Sequence, residues 1–311
     1  MRRNTASSSI ALIAAALALA ASAMTHAASA SKAHDPYAMA KQTIELPNGI
    51  TMAYAEYGAT RGTPTILLHG YTNNSREWIP LLPHLDPRLR LILVDLRGHG
   101  ASSKPECCYM RLDFAYDVML LLDALHVQRA NIVGQSLGSL VAQTFAEFWP
   151  ERVDRVILMS STGGPAPPQE LNAKPPGPML GHYDILVHQL TDPIDPDSAF
   201  MRDWYAAPAM NEEFLRLIRR DSAAIPANIW KAILDQGALS LNLQATLPRL
   251  KAQTLLIWGE NDSLMTPPSR QTLIDGLPQA KVVTLPGLGH TPFWENPKLV
   301  AVPINDFLTG P

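Results

Sequence analysis

Residues 131–138 read Asn131-Ile132-Val133-Gly134-Gln135-Ser136-Leu137-Gly138, a short apolar run followed by the pattern G-x-S-x-G. The apolar run is typical of a buried strand, and the residues after Ser136 have the periodicity of a helix. A serine on a sharp turn between a strand and a helix projects its hydroxyl above the sheet, and the flanking glycines keep side chains out of the turn. The stretch therefore predicts a nucleophilic serine in an α/β protein.

The chain on either side of this stretch alternates short apolar runs with helical patterns. The pattern predicts a hairpin at residues 43–54, and further strands at residues 65–68, 89–94, 156–159, 254–258 and 281–285. Continuous apolar strands separated by helical stretches favour a mostly parallel central sheet with helices on both faces.

The alternation stops at Gly163. Residues 163–178 contain six prolines and three glycines, a composition that no regular element tolerates, and the chain then has helical but no strand patterns until about residue 250. We therefore expect a core formed by residues 31–162 and 251–311, interrupted by a helical cap at residues 163–250.

The N-terminus has the features of an export signal. Arg2 and Arg3 precede a run of 12 apolar residues, 10–21, which is too short to span a bilayer as a helix. Small-residue cleavage patterns follow at residues 21–23 and 28–30. These features predict a signal peptide at residues 1–30, with cleavage after Ala30 preferred over Ala23, and export to the periplasm or the medium. No later stretch is apolar enough to predict a membrane span.

Charge and cysteine content exclude several classes of function. Lys plus Arg is 25 against 28 for Asp plus Glu, which gives a net charge of −3 and no basic stripe for a nucleic acid. Cys107 and Cys108 are adjacent, and neighbouring Cα atoms lie closer than most disulfides allow, which favours two free thiols over a bridge. No Cys/His spacing indicates zinc, so we expect neither a metal nor a cofactor.

A serine nucleophile needs a base, and the base needs an acid that orients it. Asp262 and His290 each follow a predicted strand, where open α/β sheets place their sites. Glu260 is an alternative acid. The N–H of Leu137, at the start of a helix, is placed to stabilise a developing oxyanion. The chain order Ser136, Asp262, His290 is the nucleophile–acid–base order of α/β-hydrolases.

The chain resembles the α/β-hydrolase fold superfamily, in particular its lid-bearing serine hydrolases and esterases. The resemblance rests on His69-Gly70-Tyr71, residues 95–102, the turn at Ser136, residues 259–262 and Gly289-His290. It implies that the N–H of Tyr71 is the second donor of the oxyanion hole. The aromatic side chains that we expect at an acyl or alcohol pocket are Trp78, Trp204, Phe293 and Trp294.

The nucleophile narrows the chemistry that the resemblance implies. Relatives with an aspartate at this turn form alkyl esters, whereas Ser136 predicts an acyl-enzyme on a small-molecule carboxylic ester or lactone. Perhydrolysis and carbon–carbon bond hydrolysis use the same three residues and stay open as alternatives. Residues 71–75 lack the glycines usual in the carbon–carbon hydrolases. A binding protein that has kept the fold is a third alternative.

Overall fold

The computed structural model describes residues 35–163, 180–207, 209–239 and 245–310. The chain divides into Met1–Ala38 and Met39–Pro311. In the first unit a turn is described in which the N–H of Ala38 donates to the carbonyl of Asp35 at 3.1 Å. The predicted signal peptide and nearly all of the Pro/Gly-rich residues 163–178 lie outside the described residues.

An eight-stranded sheet forms the centre of the second unit, in the order β1-β2-β4-β3-β5-β6-β7-β8. The pairs β1/β2 and β2/β4 are antiparallel, and all the other neighbours are parallel, which confirms the predicted mostly parallel sheet. The strands are β1 Gln42–Glu45, β2 Thr51–Gly58, β3 Pro64–Leu68, β4 Arg90–Asp95, β5 Ala130–Gln135, β6 Val153–Met159, β7 Gln253–Gly259 and β8 Lys281–Leu285.

Helices cover both faces of this sheet, so its central strands have no exposed side. Every residue of β3 and β5 is buried, whereas most of the edge strand β8 is exposed. Outside the segment between β6 and β7, the described helices are α1 Arg111–Ala124, α2 Leu137–Phe148, α7 Pro267–Gly276, α8 Pro292–Glu295 and α9 Pro297–Thr309.

Between β6 and β7 the described residues carry four helices and no strand. Asn211 begins one of them as an N-cap, because its side-chain oxygen accepts the N–H of Glu213 at 2.7 Å. We refer to the described part of residues 180–250 as the cap. Its helices are α3 His182–Gln189, α4 Ala199–Trp204, α5 Glu212–Ala223 and α6 Ala227–Asp235.

The parallel strands place their carboxyl ends at one edge of the sheet. Leu68 of β3 is in register with Gly134 of β5, and Gly259 of β7 is in register with Leu285 of β8. The loops that follow these four strands therefore open on the same side, which is where open α/β sheets bind their ligands.

The prediction of two free thiols is wrong, because Cys107 and Cys108 form a disulfide. Their Cα atoms lie 3.8 Å apart, as the sequence requires, but Cys108 adopts a φ of 75°. That left-handed turn of the backbone cannot be deduced from spacing. Over the described parts of the chain, no helix is both long and apolar enough to cross a membrane.

Candidate active site

Ser136 occupies a strained turn between β5 and α2. Its φ of 50° and ψ of −118° lie in a region that residues other than glycine rarely adopt. Its N–H donates to the carbonyl of Met159 at 3.0 Å, and its carbonyl accepts the hydroxyl of Ser139 at 2.6 Å as well as the N–H groups of Ser139 and Leu140. The backbone around the serine is thus fixed from both sides.

The glycines of the G-x-S-x-G pattern are required by close packing of the backbone. A Cβ at Gly134 would collide with the backbone of Gly138, and a Cβ at Gly138 would collide with the carbonyl of Leu68. Helix α2 therefore starts in direct contact with β3 and β5, and this contact aims the serine at the sheet edge.

His290 and Asp262 form a hydrogen-bonded pair, with Nδ1 of the histidine 2.9 Å from Oδ1 of the carboxylate. The same oxygen accepts the N–H groups of Leu264 at 3.0 Å and Met265 at 3.1 Å. Burial alone raises the pKa of Asp262, but the charge of His290 and these hydrogen bonds outweigh it and lower that pKa below its ordinary value. The ionised carboxylate keeps a proton on Nδ1 and leaves Nε2 free to act as a base.

Two residues that the sequence analysis missed hold the backbone of His290. Its carbonyl accepts the side-chain amide of Gln135 at 3.0 Å and the hydroxyl of Ser160 at 2.7 Å. Gln135 directly precedes Ser136, so one dipeptide carries the candidate nucleophile and a contact that positions the candidate base. Gln135 occupies the variable position before the serine in G-x-S-x-G, so the pattern does not predict its contact with His290.

A cavity of about 620 Å³ lies at this edge of the sheet. Ser136 and His290 both line it, so the structure brings together the predicted nucleophile and the predicted base. The side chain of Asp262 is fully buried and contacts His290. Glu260, the alternative acid, is exposed, and its carboxylate accepts the N–H of Gly287 at 2.9 Å.

The two predicted oxyanion donors, Tyr71 and Leu137, lie shortly after the ends of β3 and β5. Leu137 is the first residue of α2, where backbone N–H groups have no partner within the helix. Tyr71 follows β3 and lines the cavity. Among the described residues neither of these two N–H groups donates a backbone hydrogen bond. The absence of a backbone acceptor among the described residues is what the predicted role of these two groups requires.

The predicted pocket aromatics divide into two pairs. Trp204 and Trp294 line the cavity. Trp78 and Phe293 do not, because both are 0% exposed and stack on each other in the core with ring centroids 4.8 Å apart. The prediction that Trp78 and Phe293 lie at the pocket is therefore wrong. Tyr205, a cap residue, lines the cavity as well.

The charged groups at the cavity are acidic. Asp203 and Glu295 line it, and the hydroxyl of Tyr183 donates to Asp203 at 2.7 Å. Within the described ranges, no lysine or arginine lines the cavity. In the same ranges, no group of three His, Cys, Asp or Glu side chains is arranged to hold a metal ion.

Comparisons with known proteins agree with this architecture. A family model described as alpha/beta hydrolase fold matches residues 63–297. The 2-hydroxy-6-oxononadienedioate/2-hydroxy-6-oxononatrienedioate hydrolase of Paraburkholderia phymatum is 29% identical over 290 residues, covering 88% of this chain and 97% of that protein.

Two solved structures extend the similarity to three dimensions. A hydrolase from Pseudomonas aeruginosa superimposes with a TM-score of 0.73 at 26% identity, over 86% of this chain and 98% of that one. An N-acyl homoserine lactone degrading enzyme does so with a TM-score of 0.64 at 27% identity, over 86% and 99%. With the matched region spanning most of its length, this chain belongs to the alpha/beta hydrolase fold family.

Proposed function

We propose that this protein is a serine hydrolase that cleaves a carboxylic ester or lactone without a cofactor. The observation that carries the proposal is the placement of Ser136, on its strained turn, in the same cavity as a histidine paired with a buried carboxylate. That arrangement supplies a nucleophile, a base and the group that orients the base.

The proposed reaction uses these residues in two stages. The hydroxyl oxygen of Ser136 attacks the acyl carbon while Nε2 of His290 takes its proton, and the N–H groups of Tyr71 and Leu137 stabilise the oxyanion. His290 then gives the proton to the departing alkoxide, which leaves an acyl-enzyme. A water molecule attacks this ester, its proton passes to His290 and on to the serine, and the carboxylic acid is released.

The lining of the cavity favours a substrate that carries no carboxylate in the part that enters the cavity. Asp203 and Glu295 repel a negative charge, and among the described lining residues no cation offsets them. The lactone-degrading structural relative, 27% identical, is consistent with a neutral acyl substrate. Cap residues such as Trp204 and Tyr205 line the cavity, so we propose that residues 163–250 act as a lid that shapes the pocket and excludes water.

A second candidate function is hydrolysis of a carbon–carbon bond. It is favoured by the relative from Paraburkholderia phymatum, whose name describes a dioate substrate. The acidic lining of the described cavity and the loop at residues 71–75 favour the ester reading instead. The two candidates differ in the charge that the substrate carries.

A panel of 4-nitrophenyl esters tests the proposal on the purified protein. We expect hydrolysis with an optimum acyl length, and a loss of several orders of magnitude in kcat for Ser136→Ala. Ser103→Ala is the matched control, because its hydroxyl accepts the N–H of Thr51 at 2.8 Å and does not line the cavity. An Ser136→Ala protein that stays active would refute the mechanism.

Substrate charge is tested with two esters of similar size. We expect 4-nitrophenyl butanoate to be hydrolysed with a kcat/KM at least 10-fold higher than that of the mono-4-nitrophenyl ester of succinate. A preference for the succinate ester would favour the second candidate. Cleavage of a coloured vinylogous 1,5-diketone dioate, with no hydrolysis of the esters, would also favour it.

We also propose export, on the strength of the basic, apolar and small-residue regions of residues 1–30. Expression of the full chain in a Gram-negative host, followed by cell fractionation and N-terminal sequencing, tests it. A protein recovered outside the cytoplasm with Ser31 at its N-terminus is the expected result. An uncleaved chain found only in the cytoplasm would contradict it.

A further inference from the structure

The loop that carries the Tyr71 N–H is held by hydrogen bonds on both sides of that group. On the core side, the N–H of Gly70 donates to the buried carboxyl group of Glu77 at 3.0 Å, and the carbonyl of Gly70 accepts the N–H of Asn73 at 3.2 Å. The second contact fixes the plane of the peptide between residues 70 and 71. Because the Tyr71 N–H lies in that plane, its direction is fixed as well.

Thr72, the next residue, is held in an unfavourable backbone conformation. Its φ of 66° is rare for a β-branched side chain and requires surrounding contacts to maintain it. Its N–H donates to Nε2 of His99 at 3.2 Å, and His99 Nδ1 lies 2.8 Å from the carbonyl of Arg97. Burial lowers the pKa of His99 to about 3, so this imidazole stays neutral and keeps Nε2 as an acceptor.

The cap supplies the other contacts of this loop. The hydroxyl of Tyr205 donates to the hydroxyl of Thr72 at 2.8 Å, because the proton of the Thr72 hydroxyl is directed at the carbonyl of Tyr71, and it lies 3.1 Å from the carbonyl of Thr72. The indole N–H of Trp204 donates to the Thr72 hydroxyl at 3.1 Å. The hydroxyl of Tyr71 itself donates to the carbonyl of Trp230 at 2.6 Å. Cap segments at α4 and α6 thus hold two consecutive loop residues.

A further hydrogen bond within the cap holds the hydroxyl of Tyr205 in place. Tyr205 is buried, and its hydroxyl lies 2.9 Å from the hydroxyl of Ser222 in α5. The Thr72 hydroxyl donates to the carbonyl of Tyr71 at 2.6 Å, which links the phenol of the cap to the peptide of the candidate oxyanion donor. A chain of hydrogen bonds therefore runs from α5 through Tyr205 and Thr72 to Tyr71.

We propose that the cap positions the oxyanion hole through the contact between Tyr205 and Thr72, which are positioning residues for the Tyr71 N–H. The inference rests on the proposed serine hydrolase function. An oxyanion donor acts only when it lies within about 2.7–3.1 Å of the developing charge, so a small displacement of the loop weakens transition-state binding more than substrate binding. A cap that is correctly closed then assembles the hole, and a displaced cap leaves it incomplete.

Removal of either hydroxyl tests the coupling. For Tyr205→Phe and for Thr72→Val we expect kcat to fall at least 10-fold while KM changes less than about 3-fold. Because both changes break the same contact, the double variant should be little worse than either single one. Thr72→Ser keeps the hydroxyl and should retain most of the wild-type kcat. Ser222→Ala removes only the hydrogen bond between Ser222 and Tyr205, and we expect it to lower kcat by less than Tyr205→Phe does.

Tyr109→Phe is the matched control for a merely structural effect. Tyr109 is also buried, its hydroxyl donates to the carbonyl of Pro105 at 2.7 Å, and it does not line the cavity. This control should lower the free energy of unfolding about as much as Tyr205→Phe does, with kcat unchanged. If Thr72→Val fails to fold, Tyr205→Phe and its control decide the question alone.

A fluorophosphonate probe separates failure of this inference from failure of the proposed function, because its reaction with Ser136 also develops a charge in the oxyanion hole. We expect the wild type to be labelled, Ser136→Ala not to be labelled, and Tyr205→Phe to be labelled at least 10-fold more slowly. Wild-type labelling with an unchanged rate in Tyr205→Phe and Thr72→Val overturns the coupling alone. A folded wild type that does not react overturns the proposed function and the coupling with it.

Discussion

At the scale of single residues, the carboxylate of Asp262 decides which nitrogen of His290 is free. The charge of His290 and the hydrogen bonds to Asp262 hold the pKa of that carboxyl group below its ordinary value, so the carboxylate accepts a hydrogen bond from Nδ1–H. For Asp262→Asn we expect kcat to fall about 10⁴-fold with little change in KM, because an amide donor at this position stabilises the wrong tautomer. Steady-state kinetics on the best 4-nitrophenyl ester measure this loss.

Glu260→Gln is the natural control for that substitution. Glu260 is exposed and its carboxylate contacts the N–H of Gly287, a contact that the amide oxygen of glutamine preserves. We expect kcat within about 3-fold of the wild type. A large loss in Glu260→Gln together with a small one in Asp262→Asn would reverse the assignment of the acid.

The sequence predicted which residues carry the chemistry but not which residues hold them. Ser136 and His290 stand in local patterns, a strand followed by a glycine-flanked turn, and such patterns are visible in one dimension. The contacts of Gln135 and Ser160 with the His290 carbonyl span 155 and 130 residues, and no spacing rule reaches that far. The stacking of Trp78 on Phe293 could not be predicted from the sequence either. The local sequence around an aromatic residue is the same whether its side chain packs in the core or lines a pocket.

At the scale of elements, Gly138 fixes how closely α2 approaches β3. An alanine in an exposed helix is more stable than glycine by about 1 kcal/mol. Here the added Cβ would strike the carbonyl of Leu68, so for Gly138→Ala we expect a loss of about 2–4 kcal/mol in the free energy of unfolding. Chemical denaturation of the two proteins measures the difference, and a gain in stability would contradict the packing argument.

The cap shows where prediction of elements stops. Asn211 and the apolar spacing that follows it are typical of the start of a helix, and the structure has one at Glu212–Ala223. The same spacing does not tell which side of a helix meets the core and which meets a cavity. Tyr205 lies just after α4, where periodicity ends, and its contact with Thr72 depends on the folded position of both segments.

At the scale of the whole molecule, three fully buried groups with large pKa shifts in opposite directions contribute to how stability varies with pH. Burial lowers the pKa of His69 to about 4 and that of His99 to about 3, from 6.5. Their contribution to stability is therefore present above pH 6.5 and is lost as the pH falls toward 4. Burial raises the pKa of Glu77 from 4.5 to about 8, so its contribution is complete below pH 4.5 and is lost as the pH rises through 8.

Two histidines oppose one carboxyl group between pH 4.5 and 6.5, and only the carboxyl group titrates above that range. We therefore expect the free energy of unfolding to be highest near pH 6.5 and to fall by about 2 kcal/mol between pH 6.5 and 8. Urea unfolding at a series of pH values measures the curve. In Glu77→Gln the fall above pH 6.5 should become smaller, because only the contributions of groups such as Glu147 and His188, whose pKa values are also raised, remain. A fall of unchanged size in that variant would contradict the assignment to Glu77.

If Ser136 and His290 act as proposed, the order of the strands also sets when the chain becomes active during folding. His290 follows β8, the last strand in sequence and an edge strand of the sheet, whereas Ser136 follows β5 near its centre. A nascent or refolding chain can bury its central strands and tryptophans while β8 is still undocked, and such a chain has a nucleophile without a base. On the proposed mechanism, recovery of turnover during refolding therefore times the docking of the final strand, and a chain that ends before β8 has no activity even when its other strands have folded.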